Sequence, residues 1–296
     1  MLVDKLKSLL QDPPPAMAFE ISEAGVAAAR NGSRAELEFE PLKAGTLAIS
    51  PLQENVADEV ELARAVRALA SNGAIRMRKD IALILPDYST RTSVLDFDSF
   101  PSDPKEQLAL IRFRSRRSVP FDVESAVVSY WAQASSHKRV DVVVVMAPME
   151  IVARYEAPFR AAGLYPGLVT TSALAALELA PENGLSVMAK LSGRVLSVLV
   201  RDKSVLKLVR CLEMPSASLE DVAAVLAPTL VYMEDNLGGR ADQLLLCGFG
   251  PQADEALRRF EEELQVPAEV VRSPLAVPGE TDAGLLGYLR SIARNN

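Results

Sequence analysis

Residues 81–133 read IALILPDYSTRTSVLDFDSFPSDPKEQLALIRFRSRRSVPFDVESAVVSYWAQ, and this stretch decides the fold. A short apolar run, Ile81–Leu85, is stopped by Pro86. A second strand is predicted over about Thr90–Phe97 from its β-branched and aromatic residues. Pro101-Ser102-Asp103-Pro104 then reads as a helix start: Asp103 as N-cap, Pro104 at the first helical position, Glu106 three residues after the cap. The helix is expected to run to about Ser118, with Leu108, Ile111 and Ser115 on one face and Leu110, Phe113 and Arg117 on the next. Val119-Pro120-Phe121 closes it. Strands follow over Val123–Trp131 and Val140–Met146. The order strand, helix, strand, strand marks an α/β protein.

The composition narrows the class. With 296 residues the chain is long enough for two compact lobes. Hydrophobic residues make up 49% of it, which argues against disorder. The net charge of −7 and pI near 5.0 argue against nucleic acid as main partner, because binding phosphates needs a basic face. The longest apolar run, Val142–Met149, is too short to span a bilayer, and no signal peptide is visible. Cys211 and Cys247 fall in strand-like segments and read as buried free thiols in a reducing compartment. The expected location is cytoplasmic.

Outward from the deciding stretch, residues 1–12 (MLVDKLKSLLQD) place Leu2, Val3, Leu6, Leu9 and Leu10 at helical spacing. Pro13-Pro14-Pro15 cuts them off as a spacer. Two readings stand, a docking helix for a membrane or partner and a helix folded back on its own domain. MAFEIS, GVAAAR, AELEFE and GTLAIS read as strands separated by turn residues. A helix over about Val56–Ser71 would bury Val60, Ala63, Val66, Leu69 and Ala70, with Asn72-Gly73 as its stop. Another is expected over Glu150–Ala162, and a short one over Ala173–Leu179.

Past a composition break at Pro181–Gly184 come three strands joined by tight turns. A helix over 219–237 carries Pro228 inside, which predicts a kink or two helices. A strand (Gln243–Cys247), a helix (Gln252–Leu264), a strand (Val266–Val271) and a last helix (Asp282–Arg294) finish the reading. Both halves open with three strands, a coarse internal symmetry.

The pieces ALILPD, SVPFD and VVSYWAQ, followed in order by VDVVVVMAP, YEAPFRAAGLYPGLVTTSALAALEL and LLLCGFGP, resemble the PilM family of type IV pilus assembly proteins and their relative FtsA. The similarity covers most of residues 16–275. It implies a two-lobed actin-like ATPase fold with an inserted β-α-β-β-α interaction subdomain. The implied layout is an N-terminal helix and Pro linker at 1–15, a first lobe at 16–87 and 164–179, the inserted module at 88–163, and a second lobe at 180–296.

Actin-like ATPases hold magnesium and nucleotide between two hairpins that each carry Asp-x-Gly. A later Gly-rich turn packs on the adenosine. By this resemblance Glu20 stands at the first aspartate and Ser22 at its glycine. Lys190 replaces the second aspartate and Ser192 its glycine. Gly248 and Gly250 are kept, but Phe249 between them is expected to intrude where adenine lies. A cation cannot coordinate magnesium. The implication is a degenerate nucleotide site with no catalytic residues and no hydrolysis, ATP binding being disfavoured, and with no metal site. The lone histidine, His137, in a polar turn, excludes multi-histidine metal sites and speaks against a Ser-His-Asp triad.

The implied role is a non-catalytic scaffold at the cytoplasmic face of the inner membrane, peripheral to it, binding the cytoplasmic tail of a PilN-like bitopic protein, with other pilus platform or motor proteins as further candidate partners. An actin-like ATPase with unusual site residues and a type II secretion platform component are the alternatives. The partner-binding candidates are Arg112, Arg116 and Phe121, in a groove between module and first lobe. The arginine run has two readings, a solvated face and a docking face for an acidic or lipid-adjacent partner.

Overall fold

The structure is a computed structural model that describes residues 14–30, 36–71, 79–133 and 139–295. The leucine-rich segment 1–12, the Asn72-Gly73 stop and His137 lie outside them. Two five-stranded sheets form the lobes. The first joins β1 (Met17–Ser22), β2 (Gly25–Arg30), β3 (Glu36–Pro41), β4 (Lys79–Leu85) and β8 (Leu164–Thr171) in the order β3-β2-β1-β4-β8. The second joins β9 (Leu185–Ser192), β10 (Val195–Asp202), β11 (Val205–Glu213), β12 (Gln243–Cys247) and β13 (Ala268–Val270) in the order β11-β10-β9-β12-β13. In each, an antiparallel three-strand meander leads into two parallel strands. The expected symmetry is a duplicated topology. GTLAIS is no strand, only a bridge between Leu47 and Val56.

Alternation along β1 sets up both faces of the first sheet. Phe19 and Ile21 point to one face, where α1 (Glu59–Ser71) and α3 (Met149–Ala161) bury Leu62, Val66, Leu69, Ile151, Tyr155 and Phe159 against them. Helix α1 begins where the Asp58 carboxylate accepts the Glu61 amide at 2.9 Å. Its inward stripe is Leu62, Ala65, Val66 and Leu69; Val60, expected inside, is 76% exposed. Ala18, Ala27, Ala29 and Ala82 point to the other face, and their small side chains admit α7 (Ala283–Asn295), which contributes Leu285, Leu289 and Ile292. Helix α7 also crosses the short α4 (Ser172–Ala176) at backbone contact: a Cβ on Gly287 would stand 2.0 Å from the Ala175 carbonyl oxygen.

Two placements therefore differ from the sequence expectation. Helix α3 follows the inserted strands in sequence but buries its apolar stripe in the first lobe. Helix α7 follows the second lobe in sequence but covers the back of the first. In the second lobe α5 (Leu219–Leu237) and α6 (Ala253–Leu264) cover one face of the sheet. Helix α5 is continuous through Pro228. Ala224, whose carbonyl loses its donor to the proline, lies on the exposed side where solvent satisfies it.

The inserted segment forms a three-stranded sheet, β5 (Arg91–Phe97), β7 (Val140–Pro148) and β6 (Ala126–Ala132), in the order β5-β7-β6. Helix α2 (Pro104–Ser115) covers one face, where Ile111 packs with Phe97, Ala126, Val142, Val144 and Met146. It starts as predicted, the Asp103 carboxylate accepting the amides of Lys105 and Glu106, both at 3.1 Å. It ends a turn earlier than Ser118. Val94 and Val143, on the opposite face, pack with Leu199 and Leu206 of the second lobe. Gln133 exchanges two hydrogen bonds with the Leu206 backbone, at 2.8 and 2.7 Å, and Lys207 pairs with Asp141 at 2.7 Å. The module is thus tied to both lobes.

Candidate functional site: an inter-lobe cleft and an apolar groove

The hairpin turns of both lobes face each other across a cleft of about 410 Å³. Glu20, near the end of β1 on the α7 side, is 2% exposed. Its carboxylate accepts the Ser172 hydroxyl at the start of α4 and the Leu285 amide, at 2.7 Å, in the first turn of α7. It thus accepts a first-turn amide of α7 and holds the side chain that opens α4, while the Ala173 amide of α4 goes to Asp87. Burial pushes this carboxyl above the usual range, against the opposing pull of the Lys190 charge and both hydrogen bonds.

Lys190 reaches in from β9 and is 1% exposed. Its Nζ lies 3.0 Å from Asp87 Oδ2, in the turn after β4. The Ser197 hydroxyl donates to the same oxygen at 2.9 Å, and the Ala173 amide donates to Asp87 Oδ1 at 2.6 Å. Burial works to lower the lysine's pKa, but the Asp87 and Glu20 charges outweigh it and hold the group above its ordinary value. A tethered ammonium therefore provides the positive charge between two buried carboxylates. Among the described residues no group of three or more metal-ligating side chains is assembled.

The two serines are structural. Ser22 donates its hydroxyl to the Gly25 carbonyl at 3.0 Å and accepts the Gly25 amide at 3.2 Å, closing the β1–β2 turn. Ser192 donates to the Glu280 carbonyl at 2.8 Å, and the next amide, of Gly193, donates to the Glu280 carboxylate at 3.2 Å. A backbone donor that an incoming anion would need already faces a carboxylate of the chain itself. Gly248 has φ +78°, and a Cβ there would stand 2.1 Å from the Leu191 carbonyl oxygen, so it serves the passage of the chain over β9. Gly250 also has positive φ, with open space around it. Phe249 corrects an expectation. Its ring turns into the second-lobe core, edge-on to Phe260 at 6.0 Å, and does not line the cleft.

Asp87 and Glu280 were missed from sequence. Asp87 had a signal: Lys190 is the one charge inside the apolar strand Val187–Leu191, and a buried charge requires a partner. Asp87 stands at the end of an equally apolar strand. Glu280 had none, since only the fold brings its loop to the β9–β10 turn.

A second concavity, of about 320 Å³, opens between the inserted sheet and the first lobe. Val127, Ser129, Val145 and Ala147 form its wall on the sheet face opposite α2. Met149 and Val152 of α3, Leu85, and Val169 with its neighbours on β8 form the other side. Both bordering strands, β6 and β8, are edge strands of their sheets. Val127, Met149, Leu168 and Val169 are exposed.

The three partner-binding candidates do not meet in this groove. Arg112, on α2, and Arg116, at its C-terminal end, lie on the far side of the inserted sheet, both pairing with Glu124, at 3.6 and 3.1 Å. Phe121 lines a separate cleft at the seam between module and first lobe, with Leu52, Ile151 and Arg154.

Two lobes of one topology, joined by α4 and α7 beside a cleft and carrying an inserted module, define the actin-like fold. The chain is similar in fold to one in the PilM–PilN type IV pilus biogenesis complex, with TM-score 0.76 and 17% identity over 96% of this chain and 99% of that chain. The cytoplasmic domain of EpsL, an inner membrane component of the type II secretion system of Vibrio cholerae, matches at TM-score 0.52 and 14% identity over 95% and 94% of the chains. A Bacteroides thetaiotaomicron protein with actin-like ATPase fold and unknown function matches at 0.54 and 12% over 91% and 94%. At these identities the likeness is one of fold. No family model and no curated protein matches the sequence. Among the described residues no helix is long and apolar enough to cross a membrane.

Proposed function

We propose that the chain is a non-catalytic scaffold of a type IV pilus assembly platform. It works at the cytoplasmic face of the inner membrane and holds the cytoplasmic tail of a PilN-like single-pass membrane protein. The observation that carries this reading is the apolar groove bordered by β6 and β8, each the edge strand of its sheet among the described residues. An extended peptide adds to β8 through backbone hydrogen bonds and sets alternate side chains among Val127, Val145 and Val152. The likeness to PilM in its complex with PilN supports the same reading. The likeness to the EpsL domain supports a second, a platform component of type II secretion; the identity of the captured partner decides between them.

The cleft supports a role without hydrolysis. Its one buried cation is committed to Asp87, Glu280 faces the Gly193 amide, and Glu23 adds a further carboxylate to the lining. These residues do not fit a magnesium nucleotide: the ammonium repels the metal and the carboxylates repel the phosphates. Titration calorimetry with Mg-ATP is expected to give no binding heat. Micromolar affinity abolished by Lys190→Glu would overturn this part of the reading. For the groove, wild-type protein is expected to retain a single-pass membrane protein from detergent-solubilised membranes, and a Val127→Asp, Val169→Asp variant to lose it. Equal retention by both would refute the groove as the docking site.

A further inference from the structure

Helix α2 presents a face that neither the cleft nor the groove uses. Ile111 and Ser115 are buried against the inserted sheet. Opposite them stands Phe113, 73% exposed, among the most exposed of the large apolar side chains. Ala109, Arg112, Arg116 and Arg117 lie within about one helical turn of it, and Lys105, about two turns earlier, borders the same face. Residues 104–117 carry five positive charges against Glu106 alone, in a chain whose net charge is −7. One carboxylate, Glu124, serves both Arg112 and Arg116, so pairing leaves the face cationic. Arg114 is set apart: it lies 3.7 Å from Asp96 and over the Phe97 ring. An exposed phenylalanine ringed by arginines and a lysine suits an anionic lipid surface, where guanidinium groups meet headgroup phosphates and the ring enters the acyl boundary.

We propose that the Lys105–Arg117 face of α2 docks directly on anionic membrane lipid, independently of any protein partner. A protein ligand with an acidic face is the competing occupant, and α6 of a second copy, with Glu261, Glu262 and Glu263 exposed, is its nearest example. The ring decides for lipid, because a purely ionic contact between copies has no use for an exposed phenylalanine. The proposal does not rest on the groove.

The test is flotation of the full chain with two kinds of vesicle: phosphatidylcholine alone, and phosphatidylcholine with one third phosphatidylglycerol. Binding is expected only to the anionic vesicles and weaker at high salt. Removing one positive charge lowers partition about fivefold. The double reversal Arg112→Glu, Arg116→Glu is therefore expected to lower it more than tenfold, and Phe113→Ser to lower it with the charge unchanged. Because residues 1–12 also carry leucines and lysines, the chain lacking them is floated in parallel. Binding that vanishes with that deletion yet survives the α2 changes overturns the proposal. So does equal binding to neutral vesicles, or no binding at all. Val127→Asp, Val169→Asp is expected to float as wild type; loss of flotation there would place the lipid contact at the groove instead. Sedimentation velocity without lipid covers the last outcome: oligomers dissolved by the arginine reversal would make the face a contact between copies.

Discussion

The inter-lobe cleft and the module groove are both concave and both bordered by strands, yet they are finished in opposite ways. In the cleft the groups central to the site meet counterparts from the chain itself: Lys190 with Asp87, Glu20 with the Ser172 hydroxyl and the Leu285 amide, Gly193 with Glu280. The groove is lined mostly by apolar side chains and bordered by two strands that are edge strands among the described residues. A cavity that satisfies itself gains rigidity and has little left to offer a ligand. A cavity with unpaired backbone keeps its binding capacity and depends on charge and twist nearby to avoid the wrong partners.

The contrast can be broken from either side. Lys190→Met leaves Asp87 and Glu20 buried without their cation, and removal of one partner from such a pair costs about 3–5 kcal/mol. For a chain of this size that is a melting temperature lower by about 10 °C. If the variant melts with wild type, the clamp contributes nothing and the cleft is as adaptable as the groove. The charge also has a pH signature. Because the folded lysine titrates above its ordinary value of 10.5, its contribution is full below that value and is lost as pH rises through the higher folded one. Alkaline unfolding is therefore expected to flatten in Lys190→Met, which a urea series above pH 10 would reveal.

In the groove the expectation reverses. Val127→Asp with Val169→Asp touches exposed side chains, so the melting temperature should hold, while affinity for the bound tail falls by ~2 kcal/mol per lost anchor, about thirtyfold. A thermal penalty without an affinity change would mean that this wall is core and not binding surface. The smallest effect is expected from deleting residues 1–12. Pro13–Pro15 separates them from β1, so the melting temperature should fall by less than about 5 °C, roughly 2 kcal/mol. A larger drop would mean that the segment packs on the body.

What the sequence disclosed was local. The Asp103 cap, the Pro104 start, the strand triplets of both halves and the buried thiol of Cys247 all follow from neighbours a few residues apart. What it hid depends on distant packing. Val60 fits a helical apolar stripe as well as Leu62 does, and only the sheet beneath decides the phase. Phe249 sits where family logic expects adenine contact, but Phe260, eleven residues on, supplies an apolar partner that takes the ring inward. Pro228 predicts a break where an exposed carbonyl makes continuity cheap. Of the site, Glu20, Ser22, Lys190 and Ser192 were named from sequence, and all four line the cleft. Their partners Asp87 and Glu280, which decide what the cleft can do, lie 103 and 88 residues from Lys190 and Ser192.

Helix α7 also sets the order of assembly. The back face of the first sheet, with Ala18, Ala82 and Ile84, is covered by Leu285, Leu289 and Ile292, and the Leu285 amide that caps on Glu20 comes 265 residues later in the chain. During synthesis the whole second lobe leaves the ribosome before α7 does, so the lobe begun earliest is the last to be sealed. Until then an alanine-lined sheet face stands open in the nascent chain, and shielding it falls to whatever chaperone attends the emerging polypeptide.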